Sequence, residues 1–410
     1  MRHNPPALIF MATDPMLTLL HTLLCSGVLL LAVRAQSAPA SRPAADPVAA
    51  RVAALRAEHD LPALGGAWFT RERVVGVWVD GVRAEGLPEA VTAADQWHLG
   101  SCTKSMTAFL LALLVERGDL AWDRPLSQLL PALREAMHAD YRDLTLVELL
   151  AHRAGLAANG PGDALARCAR LPGTTADQRR AFVREVLAAR PVHPPRTREL
   201  YSNAGFIVAG HIAECATSRS WETLMRELVF TPLGLTSAGF GPPGTPERRD
   251  QPRGHDARGR PLAPGPDADN PPLLGPAGTC HMALGDWARY LQVWLRGAVG
   301  DVTVGAVTVR QATFARLRTA YAGGTPGSGY GYGWGLAQRP WAGGDHLVLT
   351  HNGSNTLWFC VCWLDPAGGS GVLAACNRGG AAAERATDAV CALLLQQRDA
   401  ERASRPAVER

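Results

Sequence analysis

Of the 41 lysines and arginines in this 410-residue chain, 40 are arginine and one is lysine: Lys104, in the run Gly100-Ser101-Cys102-Thr103-Lys104. A buried lysine can give up its proton near neutral pH, whereas a guanidinium stays charged. Arginine serves wherever else a cation is wanted, so the solitary lysine points to proton transfer. Gly100 and the apolar run Met106–Val115 read as a turn feeding a helix, Ser101–Arg117, stopped by Gly118. Residues three apart share a helix face, so the Lys104 amine reaches the Ser101 hydroxyl and takes its proton as it attacks. The helix N-terminus adds partial positive charge and free N–H groups where an oxyanion would form. Bringing a lysine from its ordinary value of about 10.4 to near 7 costs on the order of 4 kcal/mol, within the reach of burial and nearby positive charge in a packed cleft.

A serine and a lysine need a second proton relay, donors for the substrate and an oxyanion hole. Tyr201-Ser202-Asn203 precedes a helical pattern, and Tyr201 is the one tyrosine of six with an asparagine two positions on. Its phenol can shuttle a proton to a leaving group while the Asn203 amide holds a substrate carbonyl. His351-Asn352-Gly353-Ser354 follows the apolar strand Leu347–Thr350. Gly353 lets a substrate lie against the strand edge, and the Ser354 N–H can pair with that of Ser101 as the oxyanion hole. His351 supplies a hydrogen bond or a partial positive charge near the relay.

The elements that must position these groups follow from periodicity and punctuation. Gly65–Phe69 and Val74–Val79 look like an early hairpin. Helical patterns then run over Leu146–His152, Asp177–Ala189, Ala204–Ala216 and Trp221–Phe230. Strands return at Leu347–Thr350, Trp358–Leu364 and Gly371–Ala375, and Ala382–Gln397 is spaced as a closing helix. This order is met by a sheet whose first and last strands meet, with a helical domain inserted between them and a cleft at the junction. The divisions are 51–100 plus 285–397 for the α/β part, 101–284 for the inserted helical domain, and 398–410 for a tail. Within the insert, residues 241–272 are rich in Pro, Gly, Arg and Asp and read as an ordered flap beside the cleft.

A net charge of +4 and the lack of any block of five or six like charges argue against nucleic acid or lipid headgroups as partners. Leu17–Val33 is an uncharged apolar run of 17 residues. Residues 1–35 therefore read as an export signal or an N-terminal anchor, with 36–50 a spacer, which predicts a periplasmic or secreted protein whose membrane contact would be through that segment alone. The eight cysteines beyond it read as buried small hydrophobes, with Cys360 and Cys376 a lesser prospect for a bridge between neighbouring strands. No His/Cys cluster has metal-ligand spacing, so no metal and no cofactor is expected.

Ser101-x-x-Lys104, Tyr201-x-Asn203 and His351-x-Gly353, in that order, resemble the serine β-lactamase and penicillin-binding-protein superfamily in its class C-like branch. The likeness extends to Leu149-Leu150-Ala151-His152-Arg153-Ala154-Gly155-Leu156, Pro232-Leu233-Gly234-Leu235, Pro276-Ala277-Gly278-Thr279 and Tyr330-Gly331-Tyr332-Gly333-Trp334-Gly335, and covers residues 50 to 395. It implies an α/β, β-lactamase/DD-peptidase-like fold: an antiparallel sheet flanked by helices, with an inserted, mostly helical domain. It also implies a serine hydrolase forming an acyl-enzyme on a small peptide, ester or β-lactam. Ser101 attacks, Lys104 and Tyr201 share proton transfer, and Asn203 and Ser354 orient carbonyl groups. His152, Tyr330 and Trp334 read as packing. Dedicated β-lactamases of this branch usually carry Lys-Thr-Gly where this chain has His351-Asn352-Gly353, so the resemblance leans to a D-alanyl-D-alanine carboxypeptidase-like or esterase-like enzyme. A β-lactamase is the alternative, and an inactive binding or scaffold member a further one.

Overall fold

A computed structural model describes residues 46–321, 328–344 and 346–404. The apolar run Leu17–Val33 lies outside them; among the described residues no helix is long and apolar enough to cross a membrane.

The described residues begin with helix α1 (Pro47–Glu58), whose first amides are capped by the Asp46 carboxylate. Strands β1 (Ala63–Thr70) and β2 (Val74–Gly81) form the expected hairpin. Five more strands of the same sheet follow, after an interval whose described residues hold five short strands of two smaller sheets: β3 (Ser328–Tyr330), β4 (Gly335–Gln338), β5 (Leu347–Ser354), β6 (Phe359–Asp365) and β7 (Ser370–Cys376). They make one antiparallel sheet in the order β2-β1-β7-β6-β5-β4-β3. The pairing of β1 with β7 is the meeting of first and last strands anticipated above. Both faces of β1 are covered, because its alternate residues enter two cores: Leu64 and Trp68 one, Ala63, Ala67 and Phe69 the other.

Five helices besides α1 fix the frame of the site. Helix α2 (Thr103–Glu116) is buried from Thr103 to Leu114 and so runs through the core rather than along its surface. Around it lie α3 (Leu146–Leu150), α4 (Thr175–Ala188), α5 (Asn203–Thr217) and α6 (Leu284–Arg296). Helix α7 (Ala381–Ser404) closes the chain against the other face of the sheet with α1. It runs seven residues beyond the expected end at Gln397, through positions read as the start of a tail. The expected Trp221–Phe230 helix begins as an α-turn, Trp221–Leu224, and widens into a π-turn over Met225–Phe230.

Strand β5 departs from expectation in a way that bears on the site. It continues through Ser354, paired with β6 from Leu349 to Ser354, so His351-Asn352-Gly353-Ser354 lies within the strand and not beyond its end. The eight cysteines are all free thiols, seven of them buried and Cys215 exposed. Cys360 sits opposite Ala375, and Cys376 opposite Phe359. That offset of one residue puts the two sulfurs on opposite faces of the sheet, in different cores, which rules out a bridge between them.

Candidate active site

Ser101 lies in a single 3₁₀ turn, Gly100–Cys102, that leads into α2. Gly100 takes a left-handed φ of +46°, and a Cβ there would stand 2.4 Å from the Ser354 backbone N. Reciprocally, a Cβ on Gly353 would stand 2.0 Å from the Leu99 carbonyl oxygen and 3.0 Å from the Ser101 N. Two glycines therefore let the nucleophile turn and β5 meet backbone to backbone, bringing the segments that carry the Ser101 and Ser354 amides together.

Lys104, the second residue of α2, is fully buried. Its Nζ lies 2.7 Å from Asn203 Oδ1, 2.7 Å from the Ala277 carbonyl oxygen and 3.0 Å from Ser101 Oγ. The first two are pure acceptors. A neutral amine can donate its two hydrogens to them and turn its lone pair toward the Ser101 hydroxyl. Burial pulls the Lys104 pKa down to about 7, against a smaller opposing effect of Cys102. An amine whose pKa is brought near neutrality, within reach of a hydroxyl, can act as its base.

Tyr201 and Asn203 flank Ser202, whose hydroxyl caps α5 by accepting the Gly205 N–H. Tyr201 is 40 % exposed, and its phenol interacts with the Ser101 side chain. Burial pushes the phenol pKa up, so it keeps its proton. The Lys104 Nζ lies 4.7 Å from the centre of that ring. The Asn203 Nδ2 donates to Asn159 Oδ1 at 2.8 Å, leaving its second hydrogen for a ligand.

His351 is buried, and its Nδ1 lies 2.5 Å from its neighbour's Asn352 carbonyl oxygen. A carbonyl only accepts, so Nδ1 carries the hydrogen, and Nε2 accepts from the Tyr330 hydroxyl at 2.8 Å. Burial, with the nearby Lys104 charge second, takes the His351 pKa down to about 4. It is therefore neutral at physiological pH, and the expected partial positive charge is absent. Tyr201, Tyr330, His351 and Asn352 line a cavity of about 380 Å³ that continues along Val361 and Trp363. A larger cavity, of about 890 Å³ beside Phe240, Arg226 and Glu222, is lined by none of these groups.

Several participants escaped the sequence reading. Tyr330 packs against His152 as well as donating a hydrogen bond to His351. His152 stands between two tyrosines, its ring centre 4.4 Å from those of both Tyr201 and Tyr330. Its Nδ1 accepts the Ser202 N–H, its own carbonyl accepts the Leu200 N–H, and its Nε2 has no partner. Its φ of +57° is one a histidine rarely adopts. Beneath the nucleophile turn, His98 Nδ1 accepts the Gly100 N–H, and Asp269 receives hydrogen bonds from both His98 and Asn355. The sequence offered no signal for that group. Trp334 does pack as expected, edge-on to Trp294.

The family model described as Beta-lactamase matches residues 48–397. Penicillin-binding protein 4 of Amycolatopsis lactamdurans is 29 % identical over 349 residues, spanning 84 % of this chain and 88 % of that protein. An unguisins hydrolase of Aspergillus campestris is 33 % identical over 166 residues, but these make up 39 % of this chain and 30 % of that one. Among solved structures, a β-lactamase/D-alanine carboxypeptidase from Pseudomonas syringae superposes with a TM-score of 0.68 at 17 % identity, covering 88 % of this chain and 99 % of that one. The octameric penicillin-binding protein homologue from Pyrococcus abyssi gives 0.67 at 23 %, covering 85 % and 77 %. These structural likenesses are of fold, and the fold is the one expected from the motifs. With the family match running through nearly all of the described residues, the chain belongs to the β-lactamase family of serine hydrolases.

Proposed function

We propose that this protein is an exported serine hydrolase that forms an acyl-enzyme on Ser101, acting on an amide or ester in the manner of a D-alanyl-D-alanine carboxypeptidase or an esterase. The observation that carries this reading is the Lys104 amine, buried, near pKa 7, and held with two carbonyl acceptors on its hydrogens and Ser101 Oγ at 3.0 Å. In the reaction, Lys104 takes the Oγ proton as Oγ bonds the carbonyl carbon. The resulting oxyanion lies against the Ser101 and Ser354 amides. Tyr201 gives its proton to the departing nitrogen or oxygen and regains one from the Lys104 ammonium. Water, activated by the same groups, then cleaves the ester and frees Ser101. Asn203 turns its free amide hydrogen to a substrate carbonyl. The cleft would lie between the sheet and the inserted helical segment 101–284, and the apolar run Leu17–Val33 supports export.

The cavity beside the relay supports the substrate class. None of its described lining residues is an arginine or lysine, His351 is neutral, and Asn352 stands where a hydroxyl residue is usual in dedicated β-lactamases. A substrate carboxylate, on a β-lactam or on a D-alanyl-D-alanine end, therefore meets no fixed charge there, so the cavity favours the esterase-like form of the reading, and β-lactam turnover stands second. Intact-mass spectrometry after incubation with a fluorescent penicillin and with a fluorophosphonate, beside Ser101→Ala, tests the reading. A Ser101-dependent adduct that is lost slowly from penicillin supports a peptidase or esterase. Rapid penicillin turnover supports a β-lactamase, and no adduct with either probe overturns the nucleophile assignment.

A further inference from the structure

We infer that Asp269, 168 residues beyond Ser101 in the chain, is a positioning residue that holds both walls of the oxyanion hole in place. The inference rests on the oxyanion hole proposed above. One arm runs from Asp269 Oδ2 to His98 Nε2 at 2.9 Å, and from His98 Nδ1 to the Gly100 N–H at 3.1 Å. Because Nδ1 accepts, Nε2 must carry the hydrogen, and the carboxylate is what selects that tautomer. Gly100 then presents Ser101. The other arm runs from Asp269 Oδ1 to Asn355 Nδ2 at 2.9 Å, on the residue immediately after Ser354. The Asn355 Oδ1 is itself held by the Leu357 and Trp358 amides, so that side chain cannot turn freely. All three groups are enclosed: His98 is 1 % exposed, Asn355 9 %, and the Asp269 side chain 4 %. A single carboxylate thus ties the turn before one oxyanion donor to the strand end bearing the other.

The arrangement cannot tolerate an amide in place of the carboxylate. In Asp269→Asn one end of the side chain becomes a donor. If that end faces Asn355, two NH₂ groups oppose each other. If it faces His98, the imidazole must move its hydrogen to Nδ1, which then confronts the Gly100 N–H. Asn355→Asp on its own keeps the acceptor for Leu357 and Trp358 but sets a carboxylate against Asp269. Combining the two restores one donor and one acceptor at the contact and leaves an amide oxygen to receive the His98 hydrogen, at the expense of the Asn270 N–H, which also donates to Asp269 Oδ1.

The test measures Ser101 adduct formation with the fluorophosphonate over a range of concentrations, by intact mass, in wild type, Asp269→Asn, Asn355→Asp and the double variant. Circular dichroism confirms folding in each. Asp269→Asn is expected to lower the saturating acylation rate on the order of 10- to 100-fold, less than the roughly 100- to 1,000-fold that follows outright removal of an oxyanion donor because the donors are displaced and not lost, while the half-saturating concentration stays within about threefold. The double variant is expected to recover to within about fivefold of wild type. Should Asp269→Asn not fold, Asn355→Asp and the double variant make the same comparison. Wild-type rates in both single variants, or a double variant no faster than the slower single, would overturn the role of Asp269. A wild-type protein that forms no adduct would instead overturn the Ser101 reading, and the inference with it.

Discussion

The ring of His152 packs 4.4 Å from that of Tyr201, and the two are also joined through the backbone on either side of the tyrosine. The Leu200 N–H donates to the His152 carbonyl and the Ser202 N–H to its Nδ1. Burial, then the charge of Lys104, holds the His152 pKa well below its ordinary value, so Nδ1 remains an acceptor across the working pH range. His152→Phe keeps a ring in place but leaves the Ser202 N–H unpaired. It is expected to cost about 1–3 kcal/mol of stability and to slow acylation on the order of tenfold. Calorimetry and adduct kinetics on the same sample check both, and unchanged kinetics in a destabilised protein would reduce His152 to packing.

Acylation should follow the protonation of Lys104. With a pKa of about 7 the amine is protonated and idle at pH 5, and free by pH 9. The adduct rate should therefore rise through a midpoint near 7, with no fall on the alkaline side where the Tyr201 phenol still keeps its proton. Lys104→Arg preserves the charge and should lose acylation by a factor on the order of a hundred or more. Near-normal kinetics in that variant would remove the base from the mechanism.

The same lysine should weaken the fold. Its pKa in the folded protein lies below its ordinary 10.5, so between about pH 7 and 10.5 the unfolded chain holds one more proton than the folded one. Stability contributed at this site rises with pH across that window and is lowest at and below pH 7. Lys104→Met is expected to raise stability at pH 7 by on the order of 2 kcal/mol, with the gain shrinking toward pH 10. Chemical denaturation at the two pH values decides this. A less stable variant at pH 7 would mean that the three hydrogen bonds of the amine outweigh its desolvation.

Gly353→Ala should separate β5 from the nucleophile turn. The added methyl would meet the Leu99 carbonyl oxygen at 2.0 Å, a backbone atom that no rotamer change can move aside. Acylation is expected to fall at least a hundredfold with the fold retained, since a shift of about 1 Å at reacting groups costs that much. Adduct formation at the wild-type rate would show that the two segments can part without loss.

What could be read before the structure was what periodicity and local motif carry. Ser101 and Lys104 are one helical turn apart, so their contact needs only a helix, and the solitary lysine singled it out. The β1–β7 closure followed from the order of strands and helices. The miss at β5 has a local cause: Asn and Gly in His351-Asn352-Gly353-Ser354 look like a turn, but pairing with β6 overrides that preference. Asp269, His98 and Asn355 were invisible because their contacts span 171 and 86 residues, with no spacing rule to announce them. His152 and Tyr330 fell among segments read as scaffold, and only the fold brings them against Tyr201 and His351.

The rarity of lysine turns the chain into its own spectrometer. Growth on lysine enriched in ¹³C at the ε-carbon would put one side-chain signal in the spectrum of the whole 410-residue protein, that of Lys104. Its chemical shift would report the charge on the general base directly, free of overlap. The proton could then be followed through probe binding, acylation and release in the unmodified enzyme, without a mutation or a reporter group near Ser101.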